Sequence, residues 1–247
     1  MFESLLASPV HLALVLFICA VSGCAQGMTG FGFGIVAMSL LPLAMEARTA
    51  GILVILLTAL VTVKTFHAHW REFRVDRIRG LLAGAAIGAV IGSFFLVKTD
   101  PVVFRKSLGG VLLALALYDL FFARRRKLRC PSWLGFPLGT LSGALAGAFN
   151  MGGPPAVVYL YSQGWPRASV IASLQVTFFV ALVIRLLMVA LSGHATHDVL
   201  GLSLLSALPC LVGLWVGAKL SSKISHEQFQ MMISIIILLV SVKYLFG

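Results

Sequence analysis

Two short stretches gather residue types that can hold an anion. The first reads Gln26-Gly27-Met28-Thr29-Gly30-Phe31-Gly32-Phe33-Gly34, the second Asn150-Met151-Gly152-Gly153-Pro154-Pro155. Glycine and proline at this density end a helix, because glycine loses the most backbone entropy and proline lacks an N–H and clashes with the preceding turn. Each stretch lies between apolar runs, so each closes one helix and opens another. The new helix starts with N–H groups that no carbonyl of its own can reach, at the positive end of its dipole. Such an end attracts an oxyanion. Gly30, Gly32, Gly152 and Gly153 let a ligand approach the backbone, the last two in a turn that calls for positive φ. Pro154 and Pro155 suit a first helical turn. Gln26, Thr29 and Asn150 can add neutral donors.

Two more polar residues belong with these. Arg185 is the one charge well inside a long apolar run, and an arginine at membrane depth is a functional candidate by default, as substrate ligand or counter-ion. The alternative is a side chain that snorkels to the interface. Gln175, ten residues earlier, shares nearly the same helical face at 100° per residue; its alternative role is an interhelix hydrogen bond. The expected substrate-binding set is therefore Gln26, Thr29, Gly30, Gly32, Asn150, Gly152, Gly153, Gln175 and Arg185. No catalytic residue, metal site or cofactor is expected.

The elements that must carry these residues are membrane helices. Of the 247 residues 60% are hydrophobic and 11% charged, against about 25% charged in soluble domains. Apolar runs fill the whole length, which identifies a multi-pass membrane protein. The net charge of +11 sits at the ends of those runs, where it sets topology, and does not point to nucleic acid. Runs at 49–69, 78–97, 101–122, 168–192, 198–219 and 228–246 are long enough to span. Four shorter ones form two pairs, 10–26 with 30–45 and 133–149 with 154–163, and each glycine-rich stretch interrupts one pair. Cys19, Cys24 and Cys210 fall in apolar segments as small packing residues, and the four cysteines, with Cys130, form no metal-type pair. His67, His69, His194 and His197 lie in connections.

The two halves are related. A shift of 120 aligns Ser22-Gly23 with Ser142-Gly143, Gly27 with Gly147 and Gly32 with Gly152. Later in each half the shift is 125, aligning Gly88 and Gly92 with Gly213 and Gly217, glycines best read as packing residues. The expected domains are a first repeat, 1–123, a basic cytoplasmic linker, 124–131, and a second repeat, 132–247. If each interrupted pair is a re-entrant hairpin, each half has three full crossings and the repeats are inverted. If one member of each pair spans, the halves are parallel. With the Arg-rich linker inside, inversion puts 13 Lys and Arg inside and five outside, against 11 and seven for the parallel arrangement. The positive-inside rule favours inversion. The expected fold is thus an all-α polytopic membrane protein of two inverted repeats, each a broken-helix hairpin plus three transmembrane helices.

The stretches SGCAQGMTGFGFGIV and SGALAGAFNMGGPPAVVYLY, the latter followed by GWPRASVIASL, resemble the paired glycine-rich signatures of the TauE/SafE sulfite-exporter family, also called the toluene-sulfonate uptake permease family. The first stretch departs from the usual Gly-Gly-Gly form by interleaving Phe31 and Phe33. The resemblance covers nearly the whole chain. It implies transport of a small sulfur-containing anion such as sulfite, sulfoacetate or another organosulfonate. The residues by themselves say anion, and the sulfur chemistry comes from the resemblance.

Inverted repeats with broken helices are a transporter pattern, with substrate near the midplane. The expected function is a secondary transporter working by alternating access, the anion held between the two hairpin tips in a multi-pass protein of the cell (inner) membrane. Its partners are the anion and the bilayer, with a coupling proton or sodium ion and a homo-oligomer left open and no nucleic acid. An anion channel, or a carrier of another small organic anion, is the alternative. A membrane-embedded enzyme would need paired carboxylates, a nucleophile with its base, or a metal set at membrane depth; only Asp119 and Glu46 approach the membrane, and neither HExxH nor CxxC occurs.

Overall fold

The computed structural model describes residues 9–73, 78–121, 130–191, 197–221 and 226–246. The Arg-rich part of the expected linker, 124–129, and His194 lie outside them. The described residues form ten α-helices, with no strand among them: α1 (Pro9–Thr29), α2 (Phe33–Leu40), α3 (Ala47–His69), α4 (Arg79–Lys98), α5 (Pro101–Phe121), α6 (Gly135–Phe149), α7 (Gly153–Ser162), α8 (Arg167–Leu191), α9 (His197–Leu220) and α10 (His226–Phe246). A short 3₁₀ turn, Leu41–Leu43, extends α2. In hydrocarbon every backbone group must be paired within its own segment, which leaves the helix as the only solution for isolated apolar runs. Among the described residues six helical stretches are long and apolar enough to cross a membrane: Pro9–Thr29, Ala47–Glu72, Arg79–Lys98, Pro101–Phe121, Arg167–Leu191 and Asp198–Leu220.

Both expected breaks occur, but the two hairpins are unequal. The first arm of the second hairpin, α6, has 15 residues and stops at Phe149. The first arm of the other, α1, runs on to Thr29 and has 21 residues, longer than the 10–26 read from hydropathy. The two arms end at matching positions under the offset of 120, Thr29 and Phe149, and differ where they begin, at Pro9 and at Gly135. By length alone α1 could cross a membrane unaided.

The chain divides into two compact units, one of residues 1–57, 100–126 and 196–247, the other of 58–99 and 127–195. Each unit therefore draws on both sequence halves. In the first unit α1 packs along α9, and α10 packs on α5 and α2. The α1–α9 seam is made of small residues. A Cβ on Gly23 or Gly27 would overlap the carbonyl oxygens of Cys210 or Leu214, and one on Gly213 or Gly217 those of Ala20 or Cys24. Backbones approach this closely only where side chains are absent, and the gain is dispersion contact along both helices. At the other side of the unit the Tyr244 hydroxyl donates to Ser39 O at 2.7 Å, and the Arg105 guanidinium lies 5.6 Å from the Tyr244 ring centroid. Ser234 Oγ donates to Asp119 Oδ2 at 2.8 Å.

In the second unit α4 packs along α6 with the same kind of seam. Gly84, Gly88 and Gly92 meet the carbonyls of Phe136, Thr140 and Ala144, while Gly139, Gly143 and Gly147 meet those of Leu81, Ala85 and Ala89. Residue numbers rise together on both helices, so α4 and α6 run parallel. These contacts repeat those of the first unit under the offsets of 120 and 125. Gly23 on Cys210 corresponds to Gly143 on Ala85, Gly27 on Leu214 to Gly147 on Ala89, Gly213 on Ala20 to Gly88 on Thr140, and Gly217 on Cys24 to Gly92 on Ala144. In each unit the broken hairpin of one half is seated on a full-length helix of the other half. Helices α7 and α8 complete the second unit.

Candidate functional site

At the second break α6 ends on Asn150, whose φ of 60° and ψ of 27° are left-handed. Asparagine tolerates this region far better than a branched residue. Asn150 N–H donates to Ala146 O at 2.9 Å and Met151 N–H to Leu145 O at 3.1 Å, so these two carbonyls in the last turns of α6 are paired. The Asn150 amide Nδ2 donates to Thr58 Oγ1 on α3 at 2.5 Å. The positive φ expected at the glycine pair falls on Asn150 instead. Gly152 has φ −69°, and among the described glycines only Gly30 and Gly164 have positive φ. Gly152 is small for another reason. A Cβ there would lie 2.6 Å from Ser142 O and 2.8 Å from Ala146 Cβ, and its own carbonyl accepts from Ser142 Oγ at 2.5 Å. The glycine lets the hairpin close on itself. Helix α7 then starts at Gly153, and Pro154 and Pro155 supply no N–H, so its first turn offers fewer backbone donors than an ordinary helix start.

Arg185 reaches this break from α8. It is 1% exposed, so it does not snorkel. Its Nη1 donates to Ala146 O at 3.1 Å, the same carbonyl that accepts the Asn150 N–H. Its Nε and Nη2 have no hydrogen-bond partner among the described residues. The surroundings are small and apolar: Ala89, Ala146 and Ala181 form one buried cluster, with Ile184 against it. A guanidinium that always carries its charge, buried with two donors unmet, is costly by several kcal/mol. Nε and Nη2 form one edge of the planar fork, the edge that grips two oxygens of an oxyanion side by side.

Asn150, Gly152, Gly153 and Arg185 are thus brought to one place. Gln175 is fully buried on the same helix, but ten residues separate it from Arg185 by about 15 Å along the axis, more than a small anion spans. Three residues that the sequence did not single out stand at the break: Thr58, which holds Asn150; Ser142, which holds Gly152; and Ser93 on α4, whose buried hydroxyl has no partner among the described residues. Serine and threonine inside apolar helices are common enough that no sequence signal marks these three.

The first break, in the other unit, is organised differently. Gly30 takes φ 87°. Thr29 Oγ1 accepts from the N–H groups of Phe31 at 3.2 Å and Gly32 at 3.0 Å. Gln26 Oε1 accepts from Phe33 N–H at 3.2 Å while its Nε2 donates to Gly30 O at 3.0 Å. Two side chains from the end of α1 therefore cap the start of α2. Gln26, Thr29, Gly30 and Gly32 do converge, but the N–H groups of Phe31, Gly32 and Phe33 are paired internally.

The family model described as sulfite exporter TauE/SafE matches residues 15–244. A curated relative from Cupriavidus necator, described as a probable sulfite/organosulfonate exporter TauE, is 26% identical over 176 residues, 68% of each chain. No solved structure matches.

Proposed function

Because the match runs from residue 15 to residue 244, the protein belongs to the sulfite exporter TauE/SafE family of multi-pass inner-membrane transporters, and we propose that its substrate is a small sulfur oxyanion gripped by Arg185 at the second helix break. The observation that carries this reading is the buried guanidinium with one donor used and one fork edge unmet. A residue this costly to bury is retained where something repays it, and a bound anion does so by taking both donors and the charge. Sulfite or an organosulfonate, the substrates in the name of the Cupriavidus relative, presents oxygens at the spacing of that edge.

On this reading Asn150 and Gly153 border the anion, and Thr58, Ser142 and Gly152 keep the break in shape. Gln26, Thr29, Gly30 and Gly32 form a second, weaker contact region, where an anion would have to displace the Thr29 hydroxyl from the Phe31 and Gly32 N–H groups. Gln175 acts elsewhere along the path of α8. The two breaks, the matched helix seams and the positive-inside count together support inverted repeats working by alternating access.

The test is uptake of labelled sulfite into sealed vesicles holding the purified protein. A carrier shows saturation and acceleration by substrate on the opposite side; a channel shows neither. Arg185→Gln should abolish saturable uptake at equal expression. Wild-type uptake by that variant would remove Arg185 from the site.

A further inference from the structure

The geometry points to Ser93 as a third anion donor beside Arg185, making the site selective for an oxyanion with three oxygens on one centre, a sulfite or sulfonate, over a carboxylate. The inference rests on the Arg185 reading above. Ser93 is fully buried on α4. Serine hydroxyls in these helices usually bond the carbonyl four residues back, as Ser22, Ser39 and Ser203 do. Ser93 makes no such bond among the described residues. The corresponding carbonyl, Ala89 O, is instead covered by Gly147, where a Cβ would come within 2.5 Å of it. Ser206 Oγ also lacks a partner by distance, but it lies against the Cys19 thiol.

The position of Ser93 ties it to the arginine. A Cβ on Gly147 would lie 2.8 Å from Ser93 N. The peptide unit that supplies Gly147 its nitrogen supplies Arg185 its acceptor, Ala146 O. Ser93 and Arg185 thus flank one peptide of α6. Each also stands four residues beyond a member of the Ala89–Ala146–Ala181 cluster, as Asn150 does on α6. Four residues is one helical turn on the same face. Two unmet buried side chains, one cationic and one hydroxylic, therefore lie against neighbouring residues of α6, Ala146 and Gly147, one turn before the helix break. A carboxylate offers two oxygens and is satisfied by the Nε and Nη2 edge. A sulfonate or sulfite carries a third oxygen that needs its own donor, and a hydroxyl can supply it.

The experiment measures binding of methanesulfonate, sulfite and acetate to the purified full-length protein by calorimetry, for wild type, Ser93→Ala, Arg185→Gln and Arg185→Lys. Wild type should favour methanesulfonate and sulfite over acetate. Ser93→Ala should weaken both sulfur anions roughly tenfold or more and leave acetate unchanged. Without ligand, its thermal midpoint should be no lower than that of wild type, since an unmet hydroxyl is lost. Arg185→Gln should lose all three anions; if it does not fold, Arg185→Lys, which keeps the charge without the fork, should bind all three weakly. If Ser93→Ala keeps the wild-type preference while the arginine variants fail to bind, the role of Ser93 is overturned and the Arg185 reading stands. If both arginine variants bind as wild type does, the reading and the inference fall together.

Discussion

Arg185 and Asn150 share one acceptor: Ala146 O, the carbonyl one turn before the helix break, takes a hydrogen bond from the Arg185 guanidinium at 3.1 Å and from the Asn150 N–H at 2.9 Å. The buried charge and the left-handed turn are therefore mechanically linked. Movement of either changes the environment of the other.

The first prediction separates stability from function. Arg185→Met removes a buried, poorly compensated charge but leaves Ala146 O paired to Asn150. The thermal midpoint without ligand should stay level or rise, because apolar replacement of a buried ionic group is commonly neutral or stabilising by about 1–4 kcal/mol. Saturable sulfite uptake should vanish. A variant that unfolds several degrees earlier would mean the arginine is a structural strut.

The turn itself is tested at Asn150. Asn150→Val should cost about 1–2 kcal/mol through left-handed strain, plus the bond to Thr58. Asn150→Gly keeps the backbone but loses that bond, so it should resemble Thr58→Val in both uptake and thermal midpoint. A clear difference between Asn150→Gly and Thr58→Val would show that the amide does more than hold α3.

At Gly152 the expected consequence of added bulk is misfolding. A Cβ would press on Ser142 O and Ala146 Cβ within the hairpin, so Gly152→Ala should lower the yield of folded protein. Gly23→Leu and its counterpart Gly143→Leu should be comparably damaging, because each drives a side chain into a carbonyl of the facing helix. Chromatographic profiles at equal expression check all three. A monodisperse Gly152→Ala with normal stability and lost sulfite binding would return the glycine to the ligand site.

For the cap of the first break, Thr29→Val should destabilise by about 1 kcal/mol, the usual cost of losing a side chain that pairs a helix start. Sulfite affinity should change little if the anion is held at Arg185. A tenfold loss of affinity with unchanged stability would place the first break in the binding site.

The inverted arrangement proposed above requires the C-terminus to lie outside. Lys243 is exposed near the end of α10, so Lys243→Cys in a protein without its native cysteines should react with an impermeant thiol reagent in intact cells. Labelling only after lysis would favour parallel halves. Tyr244 is unsuitable for this purpose, being buried against Ser39.

The all-helical membrane class, both helix breaks and the place of Arg185 within an apolar run were legible in the sequence because each depends on a local property. An apolar run must be helical in lipid, Gly-Gly-Pro-Pro must interrupt it, and one arginine among leucines and valines is conspicuous. The repeated glycines also marked helix faces that must meet another backbone. Only the tertiary structure decided which backbone. A helix apolar on every side carries no record of its neighbour, and a glycine stripe fits any other stripe, so the seating of each hairpin on a helix of the opposite half could not be read from spacing. The same holds for the site. Gln26 and Thr29 are marked as candidate ligands by residue type, and only folding shows both turned onto the N–H groups of their own tip. Ser93 and Thr58 looked like ordinary helix residues until packing brought them to the break. Whether a polar side chain is spent on its own backbone or left unmet depends on which carbonyls the neighbouring helix covers, and that is settled only when the helices pack.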